Sequence, residues 1–168
     1  MRQHCENIKR TVHVVNLDPA ADQFKYPASI DIRELISIDD VMEELHYGPN
    51  GGLVYCMEYL SDNLDWLREQ LGEYEDDYLL IDCPGQLELY SHVGVMPKLV
   101  SELRRWGYNM CAVYLIDSQF IGDSAKFISA LLLCLSAMIH LELPHVNVLT
   151  KLDLLDPRLL HDPDYLEQ

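Results

Sequence analysis

Positively charged residues are scarce in this sequence. Its 168 residues include 12 Lys and Arg against 28 Asp and Glu, which gives a formal net charge of −16 at pH 7. Nucleic acids and anionic membranes are polyanions, so this balance argues against direct binding of the chain to either. It favours solubility, a basic protein partner, or an anionic ligand bridged by a metal ion.

Paired cysteines are also lacking. The chain contains five cysteines, none in a C-x-x-C pair or in a Cys/His spacing typical of zinc sites. They are Cys5, Cys56, Cys83, Cys111 and Cys134. Several lie in apolar runs, where a thiol behaves as a small hydrophobic group, and this suits a reducing compartment.

Hydrophobic runs long enough for a membrane span are not evident. Residues 1–10 are polar and mixed in charge, so no signal peptide is visible. The most apolar stretch, Ile128–Ile139, is 12 residues long, short of the roughly 20 that a membrane helix needs. We therefore predict a buried helix there. Since 49% of the residues are hydrophobic, the length predicts one folded domain over residues 1–168.

Short apolar runs alternate with helical patterns along the chain. The runs are 12–17, 78–81, 110–116 and 145–149, and the helical patterns are 39–46, 52–74, 87–106 and 120–143. Pro97 predicts a break in the third helix, with a new start that places the proline in the first turn. The leucine stripe that begins at Leu53 is interpreted mainly as core. This alternation predicts an α/β fold with a parallel sheet flanked by helices on both faces.

Acidic residues follow the predicted strands, at the edge where such sheets bind ligands. Asp82 ends one strand and is followed by Pro-Gly-Gln; its carboxylate suits Mg²⁺. The Gly85 amide could donate to a γ-phosphate, and Gln86 could orient water. Asp18 could position the attacking water or support the metal shell. An ordinary Asp-Pro-Gly turn, or a helix cap at Asp18 followed by Pro19, would explain the same residues.

The last predicted strand leads into Thr150-Lys151-Leu152-Asp153. In GTP-binding proteins, [N/T]-K-x-D recognises guanine: the carboxylate of Asp153 would accept hydrogen bonds from N1–H and the exocyclic amine, which adenine cannot match. The stem of Lys151 would cover the base, and Thr150 replaces the commoner Asn. Such a short motif also occurs by chance, but its position one strand-helix unit after Asp82 favours the functional interpretation.

The amino-acid sequence resembles that of the GPN-loop GTPases over essentially the whole chain. The matching stretches are NLDPAA (16–21, within VVNLDPAA at 14–21), DIREL (31–35), GPNGGL, YCMEYL, IDCPGQLELY, DSQF, KFISALL and TKLDLL. The resemblance implies a P-loop NTPase-like fold, with GTP and Mg²⁺ as cofactors and GTP hydrolysis as the activity. It also implies that Gly48, Pro49 and Asn50 reach the nucleotide site of a partner subunit, where Asn50 contacts the γ-phosphate or the released phosphate.

The same resemblance implies partners and a location. The expected partner is a sister GPN subunit or a second copy, and the expected clients are RNA polymerase II subunits, through a role in assembly and nuclear import. No direct contact with nucleic acid or membrane is expected. The expected location is the cytoplasm, with shuttling to the nucleus.

One motif of the family is not found in this chain. None of the five lysines follows a glycine, so no G-x-x-x-x-G-K-[ST] phosphate loop occurs in the 168 residues. We expect a fold without the family's first strand and its carboxyl-terminal end, as in a truncated or spliced product or an incomplete gene model. The neighbours of an absent inner strand would keep unpaired backbone or close the gap. Such a chain would hydrolyse GTP weakly, or would serve only as a dimerisation module for a sister subunit.

Overall fold

The computed structural model describes residues 1–21, 26–74, 77–91 and 93–155. They belong to two compact units, Met1–Leu89 and Tyr90–Gln168, and each unit is described on its own. The prediction of a single domain over residues 1–168 stays a prediction.

A parallel three-stranded sheet organises the first unit. Its strands are β1 (Val12–Asn16), β2 (Ile30–Asp31) and β3 (Tyr78–Asp82), in the order β2-β1-β3. The sequence patterns missed β2, which is only two residues long. In the register, Asn16 lies opposite both Asp31 and Asp82. The three strands therefore end at the same level and bring their last polar residues to one edge.

Helices α1 (Arg2–Asn7), α2 (Ile38–Leu45), α3 (Pro49–Asp62) and α4 (Leu64–Leu71) complete the first unit. The short α5 (Glu88–Ser91) includes the boundary between the units, after Leu89. The helix predicted over 52–74 is two helices, because Asn63 leaves the helical conformation and donates from its side chain to the Tyr59 carbonyl at 2.8 Å. The interpretation of the leucine stripe as core is confirmed at five buried positions: Leu53, Met57, Leu60, Leu67 and Leu71.

The second unit contains a parallel pair of strands and two long helices. The strands are β4 (Ala112–Asp117) and β5 (His145–Thr150), and the helices are α6 (Val95–Arg105) and α7 (Ser124–Leu141). Pro97 is the third residue of α6, so the predicted restart of the helix around this proline is confirmed. Short 3-10 segments follow each strand, Ser118–Gly122 after β4 and Leu152–Leu154 after β5.

The prediction that the apolar stretch around Ile128–Ile139 forms a buried helix is wrong. Helix α7 has 18 residues, and only Ala130, Cys134, Ala137 and Leu141 are buried. By length and composition alone, α7 is the one helix in the described ranges that could cross a membrane. In this structure 17% of the helix is buried. The Cys134 thiol donates to the Asn147 Oδ1 at 2.7 Å, which ties the buried stripe of α7 to β5.

The five described strands form two separate sheets, so β3 pairs only with β1 and β4 pairs only with β5. The α/β class with parallel strands and flanking helices is confirmed. One face of the β4–β5 pair is exposed: four apolar side chains, at positions that lie opposite each other on the two strands, are accessible to solvent. They are Val113, Leu115, Val146 and Val148.

Candidate functional site

The side chain of Asn16 fixes the acidic edge of the first sheet. Asn16 is fully buried at the end of β1. Its Nδ2 donates to the Asp31 carboxylate at 2.9 Å and to the Asp18 carbonyl at 3.0 Å, and its Oδ1 accepts from the Asp18 amide at 3.0 Å. A buried amide with all these partners holds its neighbours in one arrangement. Asp18 and Asp31 are thereby positioned by the same central strand.

Asp18 forms a turn after β1 rather than the start of a helix. Its carboxylate accepts from the Ala20 amide at 2.9 Å, and the Ala21 amide donates to the Asp18 carbonyl at 3.3 Å. The carboxylate thus bonds a nearby amide as a capping residue would, but within residues 18–21 this bond closes a turn. No helix begins within residues 18–21, and residues 22–25 lie outside the described ranges.

Asp31 is paired with Arg33 at the same edge. The guanidinium donates to both carboxylate oxygens, to Oδ2 from Nη2 at 2.6 Å and from Nε at 3.0 Å, and to Oδ1 from Nε at 3.1 Å. Its Nη1 donates to the Ala21 carbonyl at 2.8 Å. Burial raises the pKa of Asp31, but the hydrogen bonds from Arg33 and Asn16 outweigh it and hold that pKa below its ordinary value. Asp31 is thus a charged carboxylate that already has its cation.

Asp82 accepts a hydrogen bond from the hydroxyl of Tyr26. Burial raises the pKa of Tyr26, as do this hydrogen bond and the negative charges of Asp82, Asp18 and Asp31. The phenol therefore stays protonated and remains a donor. Of these three carboxylates, that of Asp82 contacts the hydroxyl directly, and those of Asp18 and Asp31 act on it through their charge.

This donor set fits magnesium better than a metal held by protein ligands alone. In the described part of the chain, no group of three or more His, Cys, Asp or Glu side chains is arranged to hold a metal. Mg²⁺ commonly uses only one or two carboxylates and completes its shell with water and phosphate oxygens. The exposed Asp82 and the half-buried Asp18 meet that requirement. The assignment of Asp82 to Mg²⁺ remains a prediction.

The Gly-Pro-Asn segment forms the beginning of helix α3. Gly48 is the N-cap and Pro49 the first helical residue, where its missing N–H costs nothing. Asn50 follows in the first turn, and its Oδ1 accepts from the Gln86 Nε2 at 3.1 Å. Two predicted site residues from distant segments of the first unit are therefore in direct contact. The contact lies within one chain, and the prediction that Asn50 reaches a partner subunit remains untested.

The Pro-Gly-Gln segment after Asp82 leaves its backbone accessible. Gly85 is exposed, and a Cβ placed on it would meet nothing within 4 Å, so the space beside this residue is open. Gln86 lies one residue further and holds Asn50. The second residue after the GPN motif serves packing: Gly52 is buried against α2, where a Cβ would lie 3.4 Å from Ile38.

The Thr-Lys-Leu-Asp segment is anchored to the end of β4 in the second unit. The Thr150 hydroxyl donates to the Ile116 carbonyl at 3.2 Å, and the Lys151 ammonium lies 2.9 Å from the Asp117 carboxylate. The bond from the Gln119 amide lowers the pKa of Asp117 most, and Lys151 lowers it further. Asp153 lies exposed in the 3-10 segment that follows.

The structure thus groups the predicted site residues in two sets. Asp18, Asn50, Asp82, Gly85 and Gln86 belong to the first unit together with Gly48 and Pro49, whereas Thr150, Lys151 and Asp153 belong to the second. The prediction that both sets meet one nucleotide remains a prediction.

The sequence reasoning missed three polar residues of the first set. Asn16 is positioned by its bond to Asp31, 15 residues away, and Tyr26 by its bond to Asp82, 56 residues away. Arg33 is positioned by its bonds to Asp31, two residues before it. A buried Asn inside the apolar run 12–17 is the one signal that pointed to such a network, because an amide in a strand interior needs partners.

The parallel strands and their acidic edge define the class of protein to which the chain belongs. A crystal structure of a GTPase in apo form from Pyrococcus abyssi matches with a TM-score of 0.80 and 27% identity, over 98% of this chain and 68% of that chain. The fold is therefore that of a P-loop GTPase-like α/β protein.

A family model then matches residues 1–168, and the chain belongs to that family, which is described as conserved hypothetical ATP binding protein. It is 66% identical to GPN-loop GTPase 3 of Dictyostelium discoideum, over 92% of this chain and 54% of the relative. With GPN-loop GTPase 3 of Danio rerio the identity is 58%, over 94% and 56%. The resemblance to GPN-loop GTPases is confirmed, and the chain spans about half the length of these curated relatives.

Proposed function

We propose that this chain binds GTP together with Mg²⁺ and serves GTP hydrolysis. The observation that carries the proposal is the Asn16 network, which holds Asp18 and Asp31 at the same sheet edge as Asp82. This network is complete within the chain and fixes Asp18 and Asp31 at the carboxyl ends of parallel strands, where sheets of this kind bind ligands. Its similarity to proteins named GTPases supports the nature of that ligand.

Hydrolysis requires that water attack the γ-phosphorus, so that a new P–O bond forms and the bond to the β-phosphate oxygen breaks. The products are GDP and inorganic phosphate, and the water proton leaves with the phosphate. In our proposal Asp18 and Gln86 accept hydrogen bonds from the attacking water, and Asn50 and the Gly85 amide donate to the phosphate. Mg²⁺, held through Asp82, would neutralise charge on the phosphate oxygens.

The base is proposed to be guanine although the family description refers to ATP. A carboxylate accepts two parallel hydrogen bonds from guanine, from N1–H and the exocyclic amine. Adenine has a lone pair at N1, which would repel the Asp153 carboxylate. Lys151 is held at 2.9 Å from Asp117, which keeps its aliphatic stem close to the end of β4. These contacts support a base-binding role for Thr150, Lys151 and Asp153.

We further propose that the chain acts as a dimer, with a sister GPN subunit or with itself. Its exposed apolar surface on α7 supports an additional contact, since Ile128, Leu132 and Ile139 are each more than half exposed. A role in the assembly and nuclear import of RNA polymerase II, with cytoplasmic location and shuttling to the nucleus, follows from the family resemblance. The formal charge of −16 supports a protein client rather than direct contact with nucleic acid or membrane.

Titration of the chain with GTP and Mg²⁺ by calorimetry tests the proposed activity. We expect Asp153→Ala to weaken GTP binding at least about tenfold, because the guanine loses two hydrogen bonds. Asp65→Ala, which removes an exposed carboxylate at the start of α4, is the matched control and should bind as the wild type does. Equal binding of GTP and ATP by the wild type would contradict the proposal.

A second candidate function is a binding module that holds a partner subunit without nucleotide. The observation that favours it is the absence of G-x-x-x-x-G-K-[ST] from the 168 residues, because that loop supplies the amides and the lysine that hold the phosphates. Arg33 does not replace the lysine, since its guanidinium is bound to Asp31 and Ala21. Co-purification with a sister subunit, together with no detectable GTP binding, would support this candidate over the first.

A further inference from the structure

A buried hydroxyl lies behind the loop that carries Asp153. Ser118 follows directly after β4, is fully buried, and donates from Oγ to the Lys151 carbonyl at 2.7 Å. Buried serine hydroxyls need a partner, and here the partner is 33 residues away in sequence. The bond connects the end of β4 to the turn that follows β5.

The Lys151 carbonyl is also the acceptor that closes the turn around Asp153. The Leu154 amide donates to it at 2.9 Å, and this bond defines the 3-10 segment Leu152–Leu154, which contains Asp153. One carbonyl therefore accepts both from the turn and from Ser118. A shift of this carbonyl would therefore shift the backbone of Asp153 and, with it, the Asp153 carboxylate.

Lys151 has a backbone conformation that needs such support. Its φ of 58° and ψ of 38° lie in the left-handed region, which a side chain with a Cβ rarely adopts. A conformation of this kind persists only where surrounding contacts fix it, and it is frequent in ligand-binding loops. Three contacts do so here: the Ser118 hydroxyl to its carbonyl, the Asp117 carboxylate to its ammonium, and the Thr150 hydroxyl to Ile116 just before it.

We propose that Ser118 is a positioning residue for guanine selectivity, which it sets by fixing the turn that carries Asp153. This inference rests on the proposed function, because it concerns the same base-binding loop. Asp153 itself is exposed, and within the described ranges no residue donates a hydrogen bond to its carboxylate. The orientation of the Asp153 carboxylate therefore depends on the backbone of the 3-10 segment. That backbone is fixed by the Lys151 carbonyl, which accepts from Ser118.

Selectivity is the property to measure, because it separates positioning from general stability. Inosine triphosphate differs from GTP only in lacking the exocyclic amine, so the ratio of their affinities reports the second hydrogen bond to Asp153. A variant that merely loosens the fold weakens both nucleotides by the same factor. A variant that misdirects Asp153 lowers the GTP-to-ITP ratio.

The experiment is calorimetric titration of the full chain with Mg·GTP and Mg·ITP. We expect Ser118→Ala to reduce the GTP-to-ITP affinity ratio about tenfold, towards the ratio of Asp153→Ala, since the lost bond is buried. Ser118→Cys keeps the volume and retains a weak donor, so it should lose about threefold. Ser129→Ala removes a comparable 2.8 Å bond, from Ser129 Oγ to the Ala125 carbonyl in α7, and should leave the ratio unchanged.

The outcomes distinguish this inference from the proposed function. A wild-type chain that binds neither nucleotide overturns the proposed function and this inference with it. A wild-type chain that prefers GTP, with an unchanged ratio in Ser118→Ala or Ser118→Cys, overturns the inference alone. Ser118→Cys decides the question if circular dichroism shows that Ser118→Ala is unfolded, because the cysteine fills the same buried space.

Discussion

Gln86 donates a hydrogen bond from Nε2 to the Oδ1 of Asn50 at 3.1 Å, across 36 residues of sequence. The bond uses the acceptor of Asn50 and one donor of Gln86. It leaves the Asn50 amide protons to donate to an anion and the Gln86 carbonyl oxygen to accept from water. An amide donor and a carbonyl acceptor thus lie side by side in the first unit, and the proposed attack of water on phosphate would use both.

The first prediction concerns this pair as a catalytic unit. Asn50→Ala and Gln86→Ala should each lower the rate of phosphate release from GTP about 10- to 100-fold, because each removes a group that orients water or phosphate. The double variant should be little slower than either single variant, since residues that act as a unit lose their effect together. A phosphate-release assay at saturating GTP measures these rates.

A control for the pair is Gln70→Ala, which removes the same side chain from helix α4 of the same unit. Its rate should equal that of the wild type. Strictly multiplicative losses in the double variant would show that Asn50 and Gln86 act independently.

The second prediction concerns the buried amide of Asn16. Asn16→Ala should lower the free energy of unfolding by about 2–4 kcal/mol, because it leaves the Asp18 amide without its acceptor and removes a donor from Asp31 in a buried position. Urea denaturation followed by circular dichroism measures the change. Asn63→Ala also removes an asparagine-to-carbonyl bond, to Tyr59, but at a partly exposed residue it should cost about 1 kcal/mol or less. Similar losses in the two variants would refute a special role for the Asn16 network.

The third prediction concerns the pH dependence of the Asp31–Arg33 pair. The pKa of Asp31 is lowered in the folded state, so its contribution to stability is present above the unfolded pKa of about 3.9 and is lost as pH falls through the lower folded pKa. Arg33→Met removes the partner. The difference in unfolding free energy between wild type and Arg33→Met should therefore be largest at pH 5–7 and should shrink below about pH 4.

Urea denaturation at a series of pH values measures this difference. Arg2→Met is the matched control, because Arg2 pairs with Glu6 on the surface of the same unit at 2.9 Å. Exposed pairs contribute about 0–1 kcal/mol, so its pH dependence should be slight. A difference for Arg33→Met that grows towards acid pH would have the wrong sign.

The fourth prediction concerns the two glycines after the GPN motif. A Cβ on Gly51 would meet nothing closer than 3.8 Å, so Gly51→Ala should raise the free energy of unfolding by about 0.5–1 kcal/mol through helix propensity. Gly52 lies buried against Ile38 and Met42 of α2, and Gly52→Leu should lower it by about 1–3 kcal/mol through overpacking. Thermal unfolding compares the two. A tolerated leucine at Gly52 would mean that α2 and α3 do not pack as described.

Several elements of the candidate site were predictable because their signals are local. Asp82 ends an apolar run and is followed by Cys83-Pro84-Gly85, and strand β3 does end at Asp82. The helix predicted from residue 52 begins at Pro49 instead, so the Gly-Pro-Asn segment is its start rather than a loop before it. The contacts of Asn50 with Gln86, and of Tyr26 with Asp82, were not predictable, because they join segments 36 and 56 residues apart. The predicted burial of α7 failed since composition describes what a helix can bury, not what is present to cover it.

The sequence by itself determined the alternation of strands and helices, the acidic residues at the strand ends, the Thr-Lys-Leu-Asp segment and the family. These features depend on periodicity and on short motifs, which neighbouring residues specify. Only the tertiary structure decided which strands pair, that Asn16 connects Asp18 to Asp31, and that Ser118 supports the turn of Asp153. The reason is that a hydrogen bond between distant residues depends on strand register and chain reversal, and no local pattern encodes either.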